Sequence, residues 1–344
     1  MGVPVAIGWL LSSLLISLLM VRGAITYAQG RGLLDQPGRR RSHQLPTPRG
    51  GGIGIVAASL VCLPGILCSQ PAAWPWLVIG AVLAALLLVA LAGWWDDHRS
   101  LPVWPRLGAQ LVAVGIFSLA LPCTGASCSW LPLPLLLLGG AWSINLHNFM
   151  DGIDGLLAQQ AIFVGIGLAA LAWAVAQPAL ALAAASLSAA AAGFGYYNRP
   201  PARIFLGDVG SGSVGLLIFI FSAMLWRRNP ALLWPALILS SAFVADASLT
   251  LLNRIRLGRR WHAAHREHLY QWFARRSGSH AQADAAYLAW NILIAAPFAW
   301  LAWSHPHLAL AVTMGTYMAA TGVWLMLKHR CLRRRPHKAP HVTA

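Results

Sequence analysis

Residues 74–100 read WPWLVIGAVLAALLLVALAGWWDDHRS: twenty residues without a charge, then two tryptophans, two aspartates, a histidine and an arginine. A helix that crosses the hydrocarbon of a bilayer needs about 20 mostly apolar residues, and tryptophan is enriched where it meets the headgroups. The stretch therefore reads as a membrane span (74–93) that delivers an acid pair to the membrane edge. The same test picks out 3–21, 50–70, 107–122, 130–149, 156–177, 179–196, 209–226, 231–251, 286–304 and 307–327. Proline ends one helix and starts the next at Gln177-Pro178 and His305-Pro306. The expected fold is all-α, a polytopic membrane bundle of about 11 transmembrane helices. It forms one integral membrane domain over 1–327, followed by a basic tail, 328–344.

Composition excludes a soluble enzyme. Of the 344 residues 58% are hydrophobic and only 10% charged, with mean hydropathy +0.62, whereas soluble domains carry about a quarter charged residues. Seventeen tryptophans and 32 glycines suit interfacial belts and close helix contacts. The formal charge of +16 fits a nucleic-acid surface, anionic lipid or the positive-inside bias of short loops. Its distribution points to the last. With eleven spans, 23 of the 25 Lys and Arg fall on the side of the C-terminus, and only Arg227 and Arg228 lie opposite. The N-terminus is expected outside and the C-terminus in the cytoplasm. The first span, with no cation before it and Arg22 after it, reads as retained rather than cleaved. The tail KHRCLRRRPHK lacks interleaved aromatics and reads as lipid-facing, so no nucleic-acid partner is expected. Cys123 and Cys128 could pair in an outer loop, while Cys62, Cys68 and Cys331 read as packing or incidental thiols.

The nine acids are sharper. Asp35, Asp96, Asp97, Asp151, Asp154, Asp208, Glu267 and Asp284 lie in or beside the cytoplasmic loops, and Asp246 lies near the cytoplasmic end of a helix. Acids at a membrane edge are costly enough to suggest function. Asp96 and Asp97 cannot both stay ionised cheaply unless a metal or another cation neutralises them; the alternative is a solvated helix cap. In NLHNFMDGIDGL (145–156), Asn145, Asn148 and Asp151 recur at spacing three, which aligns them on one helical face, and Asp154 continues the series. Oxygen donors of this kind suit magnesium, although Asp-Gly also forms turns. In FLGDVGSGS (205–213) glycines surround Asp208 ahead of a helix, as a phosphate cradle or as a packing surface. In HAAHREHLYQ (262–271), His262, His265 and His268 accompany Arg266 without a cysteine, which suits a diphosphate better than a transition metal. Arg39, Arg40, Arg41, His43 and Arg49 could hold a lipid phosphate or serve only topology.

Taken in order and on one face, DD (96–97), NLHNFMDGIDGL (145–156), FLGDVGS (205–211) and the histidine loop resemble the polyprenyl-phosphate N-acetylhexosamine-1-phosphate transferases, of the glycosyltransferase 4 type. DQPGRRRSHQLPTPRGGG (35–52) and ADASLTLLNRIRLGRR (245–260) share the resemblance, which covers roughly 30–275. It implies a UDP-N-acetylhexosamine donor, a polyprenyl-phosphate acceptor, release of UMP, and magnesium with manganese as a substitute. It places Asp208 and Asn148 on the metal, Asp96 and Asp97 by the lipid phosphate, and Asp151 and Asp154 by the uridine. Asn145 belongs to the same substrate-binding segment. His265, Arg266 and His268 would contact the sugar-nucleotide phosphates; Arg41, His43 and Arg49 are taken as substrate-binding from their charge beside the membrane helix, not from the resemblance. The loop HREHLYQ is similar to the branch that starts O-antigen, rather than to the phospho-N-acetylmuramoyl-pentapeptide transferases with their consecutive histidines. Expected with this are a multi-pass place in the cell inner membrane, a site facing the cytoplasm, and room for a homodimer. A transporter is the alternative from another class, but it would need its polar groups near the bilayer midplane.

Overall fold

The computed structural model describes residues 2–32, 34–35, 46–69, 74–121, 133–260 and 265–333. Helix α1 (Val3–Arg31) starts with proline in its first turn and ends at Gly32, in the left-handed region with φ 66°. Two short strands, β1 (Leu34–Asp35) and β2 (Thr47–Pro48), pair antiparallel. A further bridge joins Arg49 to Phe205, so a cation from the first loop is carried to the start of a distant helix. There follow α2 (Ile53–Cys68), α3 (Trp76–His98), α4 (Val103–Ala120), α5 (Leu133–Met150), α6 (Leu156–Ala174), α7 (Pro178–Asn198) and α8 (Asp208–Arg228). Helices α9 (Leu233–Leu239) and α10 (Ser241–Arg256) are bent by 74° at their junction. The amphipathic α11 (Leu269–Ser277) precedes α12 (His280–Trp290), which runs through a π-helical turn, Asn291–Ala295, into α13 (Ala296–Ser304). Last is α14 (Ala309–Arg333), which continues past the expected boundary at 327.

Each of the eleven apolar stretches expected from the sequence overlaps helix, with 231–251 divided between α9 and α10 and 286–304 running from α12 into α13. Among the described residues, eight helices are long and apolar enough to cross a bilayer, or nine if α9 and α10 form one span. Helix α2 has only 16 residues, about 24 Å of rise against a core of about 30 Å. Helix α5 has the length but carries Asn145, His147 and Asn148.

Helix α8 is the centre of the bundle: 83% of its most apolar window is buried, against 11% for α1. Small residues permit this. A β-carbon at Gly93 of α3 would strike the backbone carbonyl of Asp208, and one at Gly52 would strike the backbone of Gly210. Outside, large apolar side chains such as Trp104, Leu135, Trp173 and Met318 are exposed, as a lipid solvent requires. The close contact at Gly93, with that of Gly215 against Ser143 and Ile144, brings the C-terminal ends of α3 and α5 and the start of α8 to one end of the molecule.

Candidate active site

Helix α8 begins at Gly207, whose φ of +77° favours glycine. The cap comes from another helix. The carboxylate of Asp97 accepts the N–H of Asp208 at 2.9 Å and of Val209 at 3.1 Å, which satisfies two orphan donors and places negative charge at the positive end of the helix. A β-carbon at Gly207 would lie 2.5 Å from Asp97 Oδ2, so a side chain there would expel the cap.

Two arginines bridge the acids. Arg49 donates from Nε to Asp97 Oδ1 at 2.9 Å and from Nη2 to Asp208 Oδ1 at 2.7 Å. Arg106 Nη1 lies 2.7 Å from Asp96 Oδ2 and 3.4 Å from Asp208 Oδ2. Asp96 also accepts the N–H of Leu101 at 2.6 Å. The repulsion between Asp96 and Asp97 is thus relieved by a guanidinium on each. Burial works against the charge of Arg49, but Asp208, Asp97 and Asp151 outweigh it and hold its pKa above the ordinary value. Arg106 escaped the sequence reading, which treated it as topological charge; its signal was its place ten residues after Asp96, in the first turn of α4.

The C-terminal end of α5 and the turn after it divide their residues. Asn148 donates to Ser211 Oγ of α8 at 3.1 Å. Asn145 instead donates to Gln110 Oε1 at 2.6 Å and to the Ala141 carbonyl at 2.7 Å. It joins α5 to α4 and is not on the wall of the cavity that Asp151 lines. Asp151 lies beyond the end of α5, so the spacing-three series does not continue as one helical face. Burial pushes its carboxyl up to about 8; Arg49 opposes this, and Asp208, Asp97 and Asp154 add to it.

Asp151 lines a cavity of about 520 Å³ together with Arg49, Asp154, Gly207, His265 and Arg266. At its far end Asp154 accepts the N–H of Ala202 at 3.0 Å and lies 3.3 Å from His280 Nδ1. Asn198, Gln271, Arg275 and His280 also line it; the sequence reading missed them because their motifs carry no distinctive spacing. His268 does not. It is buried, with Nδ1 3.9 Å from Asp246 Oδ1 and its ring stacked 6.1 Å from Phe149, and burial pushes its imidazole down to about 4. It therefore lies beneath the loop and not on the cavity wall. Arg41, His43 and His262 lie outside the described residues, as do Cys123 and Cys128.

Among the described residues no three carboxylates, imidazoles or thiolates converge on a point that could hold a metal by themselves. The donors present are nonetheless hard oxygens: Asp208, the most accessible of the three bridged acids, with Asn148 and Asp151 nearby. Such a set suits magnesium, which is commonly held by one or two carboxylates with substrate phosphates completing its shell. The arrangement as a whole offers cations for a diphosphate, carboxylates for a hard ion, and an apolar surround for a lipid.

Comparison with known proteins agrees. Residues 79–226 match the family described as Glycosyl transferase family 4. The chain is 28% identical over 263 residues to a "Probable undecaprenyl-phosphate N-acetylglucosaminyl 1-phosphate transferase" of Bacillus subtilis, covering 72% of this chain and 70% of that protein. It is 28% identical over 249 residues to a "Phospho-N-acetylmuramoyl-pentapeptide-transferase" of Enterococcus hirae, covering 65% of this chain and 74% of the relative. A protein of the same description from Lactiplantibacillus plantarum is 27% identical, over 54% of this chain and 64% of its own length.

Proposed function

We propose that this chain, which belongs to glycosyl transferase family 4 through its residues 79–226, transfers an N-acetylhexosamine-1-phosphate from a UDP-sugar to polyprenyl phosphate such as undecaprenyl phosphate. UMP leaves, and the lipid diphospho-sugar starts an O-antigen or another envelope glycan. The observation that carries this reading is the meeting of Asp96, Asp97 and Asp208 under Arg49 and Arg106 at one end of the bundle, beside a cavity large enough for a nucleotide.

In the proposed reaction an oxygen of the lipid phosphate attacks the β-phosphorus of the donor. The new P–O bond forms as the bond from the β-phosphorus to the bridging oxygen breaks, and its electron pair leaves with UMP. Arg49, between Asp97 and Asp208, and Arg106 face the place where charge develops and can absorb it. Magnesium, with manganese as a substitute, would be held by Asp208 and Asn148 and would neutralise the diphosphate. Asp97 is committed to two backbone N–H groups and Arg49, and Asp96 to Leu101 and Arg106. Neither presents an unengaged oxygen, which favours direct attack over a covalent aspartyl intermediate. Asp151 and Asp154 line the cavity toward the nucleoside end, and His265 and Arg266 face its phosphates. In this reading the basic loops and the site face the cytoplasm, from the inner membrane.

The names of several relatives favour a second reading, with UDP-N-acetylmuramoyl-pentapeptide as donor. One experiment separates the two. Purified protein is offered polyprenyl phosphate, magnesium and a panel of UDP-N-acetylhexosamines that includes the pentapeptide donor, and UMP is measured. Release with an unsubstituted N-acetylhexosamine, lost in Asp208→Asn, is the expected result; release with the pentapeptide donor alone, or normal turnover in Asp208→Asn, overturns the reading.

A further inference from the structure

Asp246 is the acid with the most hydrogen-bond donors around it, and the reaction above gives it no part. It sits in α10, 2% exposed, after the bend that separates α9 from α10. Five groups donate to its two oxygens. Oδ1 accepts the N–H of Leu269 at 2.8 Å, the hydroxyl of Thr250 at 3.1 Å and the indole N–H of Trp324 at 3.2 Å. Oδ2 accepts the hydroxyl of Tyr287 at 2.7 Å and the N–H of Tyr270 at 3.3 Å. One carboxylate thereby ties α10 to α11, α12 and α14. A buried carboxylate is tolerated only when its lone pairs are filled in this way, and such a network permits little movement of its members. With its acceptor sites filled, and no place on the wall of the 520 Å³ cavity, Asp246 is not a ligand for a metal or a substrate.

Its effect is on what α11 carries. Leu269 and Tyr270 are the first two residues of α11, so the carboxylate caps that helix from another element. The chain just before the cap is His265-Arg266-Glu267-His268. His265 and Arg266 line the cavity, and Glu267 is tied back to Arg254 of α10 and, at 2.9 Å, to Arg259 just beyond that helix. On the other side of the cap, the hydroxyl of Tyr270 donates to the Phe149 carbonyl at 2.9 Å and packs against Gly152, where a β-carbon would strike it. The turn that holds Asp151 and follows Asn148 therefore rests on the first turn of α11.

We propose that Asp246 is a positioning residue: by fixing the start of α11 it sets both the His265–Arg266 loop and the Phe149–Gly152 turn against the donor. The assignment of these two segments to the donor rests on the reading given above. Leu269 and Tyr270 form an unbroken path from the carboxylate to both, and the bond to Tyr287 sets its direction.

Two measurements test it. The first uses no substrate: hydrogen exchange of detergent-purified wild type, Asp246→Ala and Tyr287→Phe. Faster exchange in 265–275 and in 149–155, with α3 and α8 unchanged, is expected in both variants; unchanged exchange in either segment overturns the proposal. The second measures KM for the UDP-sugar and for polyprenyl phosphate separately. Asp246→Ala takes the acceptor from five donors and should raise donor KM at least roughly tenfold, since one unsatisfied buried group alone is on that scale, with the acceptor KM within twofold. Asp246→Asn keeps an oxygen for the Leu269 N–H and should recover part of the loss. A fall in yield or kcat with both KM values unchanged marks a purely structural residue and overturns the proposal. Should Asp246→Ala fail to fold, Tyr287→Phe and Thr250→Val remove one donor each and carry the same two readouts. Should the wild type turn over no UDP-sugar, the functional reading fails while the exchange measurement still decides the role of Asp246.

Discussion

Arg49 holds two carboxylates from different helices at once, and this is a property of the guanidinium fork, not of positive charge alone. Its Nε and Nη2 lie 2.9 Å from Asp97 and 2.7 Å from Asp208, a pair of directions that a lysine ammonium cannot reproduce. Arg49→Lys is therefore expected to fold and to lose about a hundredfold in UMP release, close to the loss on removing a donor from a transition-state charge site; a loss below threefold would show that charge alone suffices. Asp97→Asn replaces one acceptor oxygen with an amide nitrogen, so one of the two N–H groups of Asp208 and Val209 meets a donor instead of an acceptor, and UMP release should be abolished in purified protein. His268 supplies a pH dependence of stability. Burial holds its folded-state pKa at about 4 against an ordinary value of 6.5, so between these values the unfolded chain binds a proton that the folded chain refuses. Stability is lost as pH falls through this window. Melting of the wild type in detergent should drop more between pH 7 and pH 5 than melting of His268→Gln; equal drops would sink the assignment.

At the scale of elements, the site depends on how closely α3 approaches α8. Asp97 can cap α8 because Gly93, one turn earlier on α3, lets the two backbones touch. Gly93→Ala places a β-carbon in the Asp208 carbonyl and must push the helices apart. The expected cost is about 1–3 kcal/mol, the range for overpacking. Loss of turnover should exceed the loss of folded protein, because the cap and both arginine bridges lengthen together. Circular dichroism melting and UMP release, measured on one preparation, test this. The junction of α9 and α10 has a comparable role, since its 74° bend precedes the turn of α10 that carries Asp246.

For the whole molecule, the exposed apolar girdle and the buried α8 describe a protein whose solvent is lipid. Charge is then a topological signal. The two ends of α7 test it: Gln177 precedes the helix and the exposed Arg199 follows it. In a background without the five native cysteines, a membrane-impermeant thiol reagent should label Arg199→Cys only from the cytoplasmic side and Gln177→Cys only from outside. Labelling of both from one side would overturn the orientation inferred from the positive loops.

Much of this molecule was legible in one dimension. Apolar runs of membrane length, separated by charged breaks, determine a helical bundle, because backbone in lipid must pair within a helix or a closed barrel, and barrel strands are about half as long and alternate in polarity. The gathering of acids near one set of loops follows from the cost of charge in the bilayer, and Asp96, Asp97, Asp151, Asp154 and Asp208 were found that way. What tertiary structure alone decided is which partner each group meets. Arg49 and Asp208 are 159 residues apart and bond at 2.7 Å. Asn145 and Asn148, three apart, part company to face α4 and α8. Arg106 joins the acids, His268 turns inward, and Asp246 gathers five donors from four helices. Spacing along a helix sets only the angle between side chains; the rotation of that helix against its neighbours follows from where small residues such as Gly93 and Gly52 let backbones meet, and that is settled by packing in three dimensions.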